Sequence, residues 1–283
     1  MTQSPQSEHD FADVNGARLH YEAIGSGRPL VLIHAGIADL RMWDDQISAF
    51  APHFRVIRYD MRGFGQSVPP PGPFSFSADL YGVLHHLGVD RAHLIGVSMG
   101  GSTIIDFALE HPHMVAALVP VCAGVGGFQP DVEMPSGWDQ IIAEDEQLEQ
   151  MIAEGKKDEA AEFGADLDVR LWVAGLYRTP EEIDPAFRER ARELARGAYA
   201  YSDIPTERQR LDPPAAERLD QIAAPTLAIV GDKDLPGTNA AADLMVERIR
   251  GACKIVIPNT AHLPPMERPD EFNRIVLDFV RGL

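Results

Sequence analysis

The stretch of this 283-residue chain richest in chemistry is Gly96-Val97-Ser98-Met99-Gly100. It joins the apolar run AHLIGVS (92–98) to a helix-like segment, 99–111. Small residues on both flanks let the backbones pass closely, so a strand can turn sharply into a helix with the hydroxyl exposed at the corner. Free N–H groups in the first helical turn suit a developing anion there. A serine hydroxyl attacks only when a base takes its proton and a third group orients that base.

Ten histidines compete for the role of base. His262, in PNTAHLPPMERPDEF, follows the last apolar run and so lies at the C-terminal end of an expected strand. His85 and His86 fall in a helix, His111 and His113 flank a helix end, His20 and His93 lie in strands, and His9 and His53 fall on connecting segments. From the residues alone His262 stays open between a base and a structural histidine. Two carboxylates, Asp232 and Asp234, follow TLAIV in Gly231-Asp232-Lys233-Asp234. Asp234 reaches further into its loop, whereas Asp232 could cap the turn. Acyl transfer also needs donors for an oxyanion. The Met99 N–H is one; Gly36, in His34-Ala35-Gly36-Ile37, permits the close approach of a second, or marks an ordinary glycine turn.

The elements that must position these groups alternate. A loosely alternating run, 17–24, reads as an antiparallel edge strand. Short apolar runs follow at 29–36, 54–60, 92–98 and 115–122, with helical segments at 40–51, 77–88 and 99–111. Strands apolar on both faces and separated by helices predict a parallel sheet covered on both sides. Residues 124–215 contain no convincing strand and read as acidic helices at 138–154, 156–176 and 181–200. The strand pattern then returns at 225–232 and 252–258, with helices at 238–250 and 270–280. The expected fold is α/β, with a core of residues 1–123 and 216–283 and a helical cap inserted at 124–215.

Composition removes other classes. The net charge of −18 repels phosphate backbones and anionic lipid, so neither nucleic acid nor membrane is an expected partner. Residues 124–223 alone contain 23 acidic and 11 basic side chains, read as a solvated helical face rather than a docking surface. The longest apolar stretch, 114–128, is broken by Pro120, Gly124, Gly126 and Gly127. The polar beginning, MTQSPQSEHD, lacks the basic and apolar regions of a signal peptide, so a cytoplasmic location is expected. Cys122 and Cys253 match no metal spacing and read as buried apolar residues at opposite ends of the sheet, too far apart for a disulfide. No metal, nucleotide or redox cofactor is expected, since no G-x-G-x-x-G opens a helix after a strand.

With these residues in view, the chain resembles the α/β-hydrolase fold family, in its esterase, enol-lactonase and haloperoxidase-like group. The resemblance rests on IHAGIADLRMW (33–43), YDMRGFGQS (59–67), GVSMGG (96–101), GDKD (231–234) and NTAH (259–262). It implies Ser98 as nucleophile, Asp234 rather than Asp232 as acid, His262 as base, and Gly36 and Met99 as oxyanion donors. It implies a structural role for the 60–65 loop, with Arg62 an anchor. Two positions depart from the usual pattern: Ala35 stands where a glycine usually follows the histidine, and Leu263 follows His262 where glycine is frequent. Serine at 98 argues against haloalkane dehalogenase and epoxide hydrolase chemistry, for which the family uses aspartate.

The resemblance thus implies hydrolysis of a small-molecule carboxylic ester or lactone through an acyl-Ser98 intermediate. The alternatives are C–C bond hydrolysis or perhydrolysis with the same three residues, or a hydrolase-fold receptor for a small ligand. Ile37, Arg41, Met99, Trp138, Trp172, Tyr177 and Tyr199 are the candidates to line a pocket, each also readable as core. The acidic cap disfavours anionic substrates unless one buried arginine reverses the field, and Arg41 is the candidate for that. The oligomeric state is not legible, and a homo-oligomer stays open.

Overall fold

A computed structural model describes residues 7–283; Met1–Gln6, part of the polar beginning read above, lie outside the described residues. Among the described residues the strands are β1 (Ser7–Val14), β2 (Ala17–Gly25), β3 (Pro29–Ile33), β4 (Arg55–Tyr59), β5 (Gly72–Phe74), β6 (Ala92–Val97), β7 (Val115–Val121), β8 (Thr206–Arg208), β9 (Leu227–Gly231) and β10 (Cys253–Ile257). The helices are α1 (Asp44–Phe50), α2 (Phe76–His86), α3 (Met99–Glu110), α4 (Trp138–Ala153), α5 (Lys157–Asp168), α6 (Pro185–Ala198), α7 (Pro236–Arg248), α8 (Pro264–Glu267) and α9 (Pro269–Arg281). Among the described residues no helix is long and apolar enough to cross a membrane.

Eight strands form one sheet in the order β1-β2-β4-β3-β6-β7-β9-β10. The pairs from β4 to β10 are parallel, and β1 and β2 are antiparallel. Successive residues of the central strands point to opposite faces. Val31, Ile33, Leu94, Leu118 and Val230 enter one core with Leu80 and Ile104 of α2 and α3. Leu30, Leu32, Ile95, Val97 and Ile229 enter the other with Phe50 and Phe272 of α1 and α9. Both faces are therefore dry, and the strands are apolar throughout. Because β3, β6, β7, β9 and β10 run the same way, the residues that follow them emerge along one rim of the sheet.

Five expectations about these elements need correction. The run at 17–24 is not the edge: β1 lies outside it, joined by Asn15-Gly16, both at positive φ, as a two-residue hairpin requires. His9 therefore lies in a strand. The strand expected at 29–36 ends at Ile33. The helix expected at 156–176 is α5 followed by a π-helical segment, Val169–Ala174, and ends at Gly175 with φ 69°. Residues 124–215 do contain a strand, β8, which pairs in parallel with β5 outside the main sheet.

Both cysteines are free thiols, one following β7 and the other opening β10. Cys122 is buried as expected, but Cys253 is exposed, because β10 is the sheet's edge.

Candidate active site

Ser98 caps α3 with φ 53° and ψ −112°, a conformation that non-glycine residues avoid. The strain is held by packing around the turn. A Cβ on Gly100 would lie 2.6 Å from the His34 carbonyl oxygen, and one on Gly96 would lie 2.7 Å from the Gly101 nitrogen, closer than real contacts allow. The Ser98 N–H is tied to the Val121 carbonyl at 2.8 Å, so β7 also fixes the corner.

His262 and Asp234 meet from the loops after β10 and β9. His262 Nδ1 lies 2.8 Å from Asp234 Oδ2 and 3.0 Å from Oδ1, and both side chains are buried. A carboxylate only accepts, so Nδ1 bears the hydrogen and Nε2 keeps a lone pair. Nε2 is buried and has no hydrogen-bond partner among the described residues. Trp172 covers the imidazole, ring centroids 4.3 Å apart, and its carbonyl accepts the His262 N–H at 3.1 Å. The π-helical segment brings Trp172 there. Asp232 instead faces Lys233 at 3.0 Å and is exposed.

Ser98, His262 and Trp172 line one cavity of about 800 Å³. Beside it, a Cβ on Gly36 would lie 3.7 Å from the Met99 side chain, which puts the two expected donors together. The Met99 N–H is the first of α3 and has no carbonyl one turn back to bond. His34, by contrast, is engaged: Nδ1 bonds the Ala35 carbonyl at 2.8 Å and Nε2 accepts the Met61 N–H at 2.9 Å. Burial lowers its pKa, which keeps it neutral and able to make both bonds. Arg62 forks onto Asp79 at 2.7 Å from two nitrogens, both residues buried, as an anchor should.

The remaining pocket candidates divide. Arg41 is held by Asp39 at 2.8 Å and Glu193 at 3.1 Å and does not line this cavity. Ile37 packs with the core under α1, and Trp138 with Leu148 and Leu167 of the α4–α5 cluster. Tyr177 is 51% exposed. Tyr199 donates its hydroxyl to Asp168 at 2.9 Å. The cavity is lined instead by Phe128, Met134 and Leu235, and further out by Ser102, Asp106, Arg208 and Arg210. Ser102 and Asp106 had a legible signal, lying four and eight residues after Ser98 on one face of a helix. The arginines had none, since only the β5–β8 pairing brings them near.

Cys122, Asp234 and His262 place potential metal-ligand atoms within 4.8 Å of one another. The carboxylate and imidazole already bond each other, and burial beside Asp234 raises the Cys122 pKa well above its ordinary value.

Comparison with known proteins agrees with this architecture. The alpha/beta hydrolase fold family matches residues 28–269. The chain belongs to that family. An enol-lactonase structure from Burkholderia xenovorans LB400 superposes with a TM-score of 0.74 at 26% identity, covering 96% of this chain and 99% of that one. A 2-hydroxy-6-oxo-6-phenylhexa-2,4-dienoate hydrolase of Comamonas testosteroni is 28% identical over 291 residues, 97% of this α/β hydrolase and 94% of the relative. A soluble epoxide hydrolase of Corynebacterium sp. (strain C12) is 37% identical over 118 residues, 41% of each chain.

Proposed function

We propose that this α/β hydrolase cleaves a small-molecule carboxylic ester or lactone with Ser98, His262 and Asp234. The observation that carries the reading is His262: one nitrogen is held by a carboxylate, and the other is unpartnered in the cavity that Ser98 lines. Ser98 Oγ attacks the substrate carbonyl as His262 Nε2 takes its proton. The N–H groups of Gly36 and Met99 hold the oxyanion. Collapse expels the alcohol, which receives that proton, and leaves acyl-Ser98. Water then attacks the acyl group, giving a proton to Nε2, and the acid leaves as Ser98 recovers it. No step calls for a cofactor. The segment 124–215 serves as the cap over this chemistry: Trp172 shields the imidazole from water, and Arg190 of α6 reaches Asp45 at 2.5 Å across to the core.

The likeness to the dienoate hydrolase supports a second reading, C–C bond hydrolysis by the same three residues. Ser98 sets both readings apart from epoxide opening, for which the family uses aspartate.

The test is reaction with a fluorophosphonate, followed by turnover of p-nitrophenyl acetate and butyrate. The expected result is a single adduct on Ser98, with chelator-insensitive turnover that S98A loses. No adduct, and turnover equal in the two proteins, would overturn the assignment. An adduct without ester or lactone turnover would shift it to the C–C reading.

A further inference from the structure

The cavity is apolar around Ser98 and becomes charged further out. Ser98, Ser102 and Asp106 follow one face of α3, so Asp106 stands about 12 Å along the helix from the nucleophile, from ~1.5 Å of rise per residue. Arg208 and Arg210 line the same cavity, and both lie close enough to Asp106 to act on its charge. Arg208 is half-buried, packs its guanidinium over Phe76 at 5.0 Å, and has no hydrogen bond or ion pair among the described residues. Its position is fixed, because β8 pairs with β5 and the Gln209 N–H bonds the Phe74 carbonyl at 2.7 Å. The guanidinium is thus positioned in the cavity with the Asp106 carboxylate near it and no direct protein hydrogen bond, so a substrate anion can bond it in place of water.

We infer that Arg208, with Arg210 at its side, receives a carboxylate on the substrate about two helical turns from the carbonyl that Ser98 attacks. The inference rests on the serine-hydrolase reading and names its substrate class: half-esters or lactones of longer dicarboxylic acids. The overall charge of −18 opposes anions only at long range, where salt screens it, whereas the guanidinium acts at contact. The cation that answers the acidic field is thus Arg208 and not Arg41.

The experiment compares kcat/KM for p-nitrophenyl hydrogen suberate and p-nitrophenyl octanoate, a pair matched in acyl length. The wild type is expected to prefer the suberate half-ester by about 10- to 100-fold, the range for a charge-assisted hydrogen bond. R208Q should collapse that ratio, and R208K should keep most of it. Free suberate should inhibit the wild type more strongly than octanoate, a measurement that needs no variant to fold. A wild-type ratio at or below one, or the same ratio in R208Q, would overturn the inference. Fluorophosphonate labelling separates the two failures: Ser98 labelled without charge preference removes only the carboxylate site, whereas no labelling removes the reading beneath it.

Discussion

Asp234 holds His262 with both carboxylate oxygens, 2.8 and 3.0 Å from Nδ1, while Oδ1 also accepts the Leu235 N–H at 2.8 Å. The Asp234 carboxylate is therefore fixed by its own loop before it orients the imidazole, and the lone pair is directed to Nε2. This geometry makes the tautomer the quantity to perturb.

In D234N an amide replaces a group that only accepts. Its NH2 can donate to Nδ1, which then moves the ring hydrogen to Nε2 and removes the base. The expected loss in kcat is about 10³- to 10⁴-fold, as for an orienting aspartate in serine proteases. Because the swap preserves shape, Tm should change by only ~3 °C. Ester turnover and a thermal melt on the same sample check both; D234N with more than a tenth of wild-type kcat would refute the role.

G100A tests the packing that strains Ser98. The added methyl meets the His34 carbonyl oxygen and the Ile33 carbonyl, backbone groups that cannot rotate away. Destabilisation by about 1–3 kcal/mol is expected, with a loss of activity beyond what unfolding explains. Chemical denaturation and fluorophosphonate labelling rates at a temperature where both proteins are folded would measure the two effects. Wild-type stability in G100A would show that the corner relaxes freely.

The central strands and the Ser98 corner were legible because their signals are local: apolar runs between helices, and glycines around one serine. Asp234 and His262 were legible as ends of parallel strands, which topology gathers on one rim. The pocket was not. Arg41 is near the oxyanion loop in sequence, yet Asp39 two residues earlier accepts from its Nε and Nη2, so its charge is taken up locally. Arg208 reaches the cavity through a three-residue strand too short for any periodic signal. Likewise β1 is mostly exposed and shows little apolar alternation; Asn15-Gly16 was the cue to it.

The two thiols should differ sharply toward alkylation. Cys253 is exposed on the edge strand, whereas Cys122 is 1% exposed and its pKa is raised by burial and by the Asp234 carboxylate. Thiolate fraction and access both govern the rate, so both disfavour Cys122. Iodoacetamide at pH 8 should add one group to the native protein, on Cys253, and a second only in denaturant. Peptide mass mapping reads the sites. Native labelling of Cys122 at a rate similar to Cys253 would mean that the rim behind Asp234 is open.

Asp168, at the end of α5, predicts how stability depends on pH. Burial raises its carboxyl from 3.8 to about 7, despite the hydrogen bond donated by Tyr199. Between those values the folded protein keeps a proton that the unfolded chain has released. Stability therefore falls as pH rises from about 4 to about 7 and levels off above, by up to a few kcal/mol. Asparagine removes the titration while its carbonyl still accepts the Tyr199 hydroxyl. D168N should thus match the wild type in Tm near pH 4.5 and exceed it by several degrees at pH 8. Other carboxylates titrate in both proteins and cancel in the difference. Parallel Tm curves for the two proteins across this range would mean that Asp168 is already ionised in the folded state.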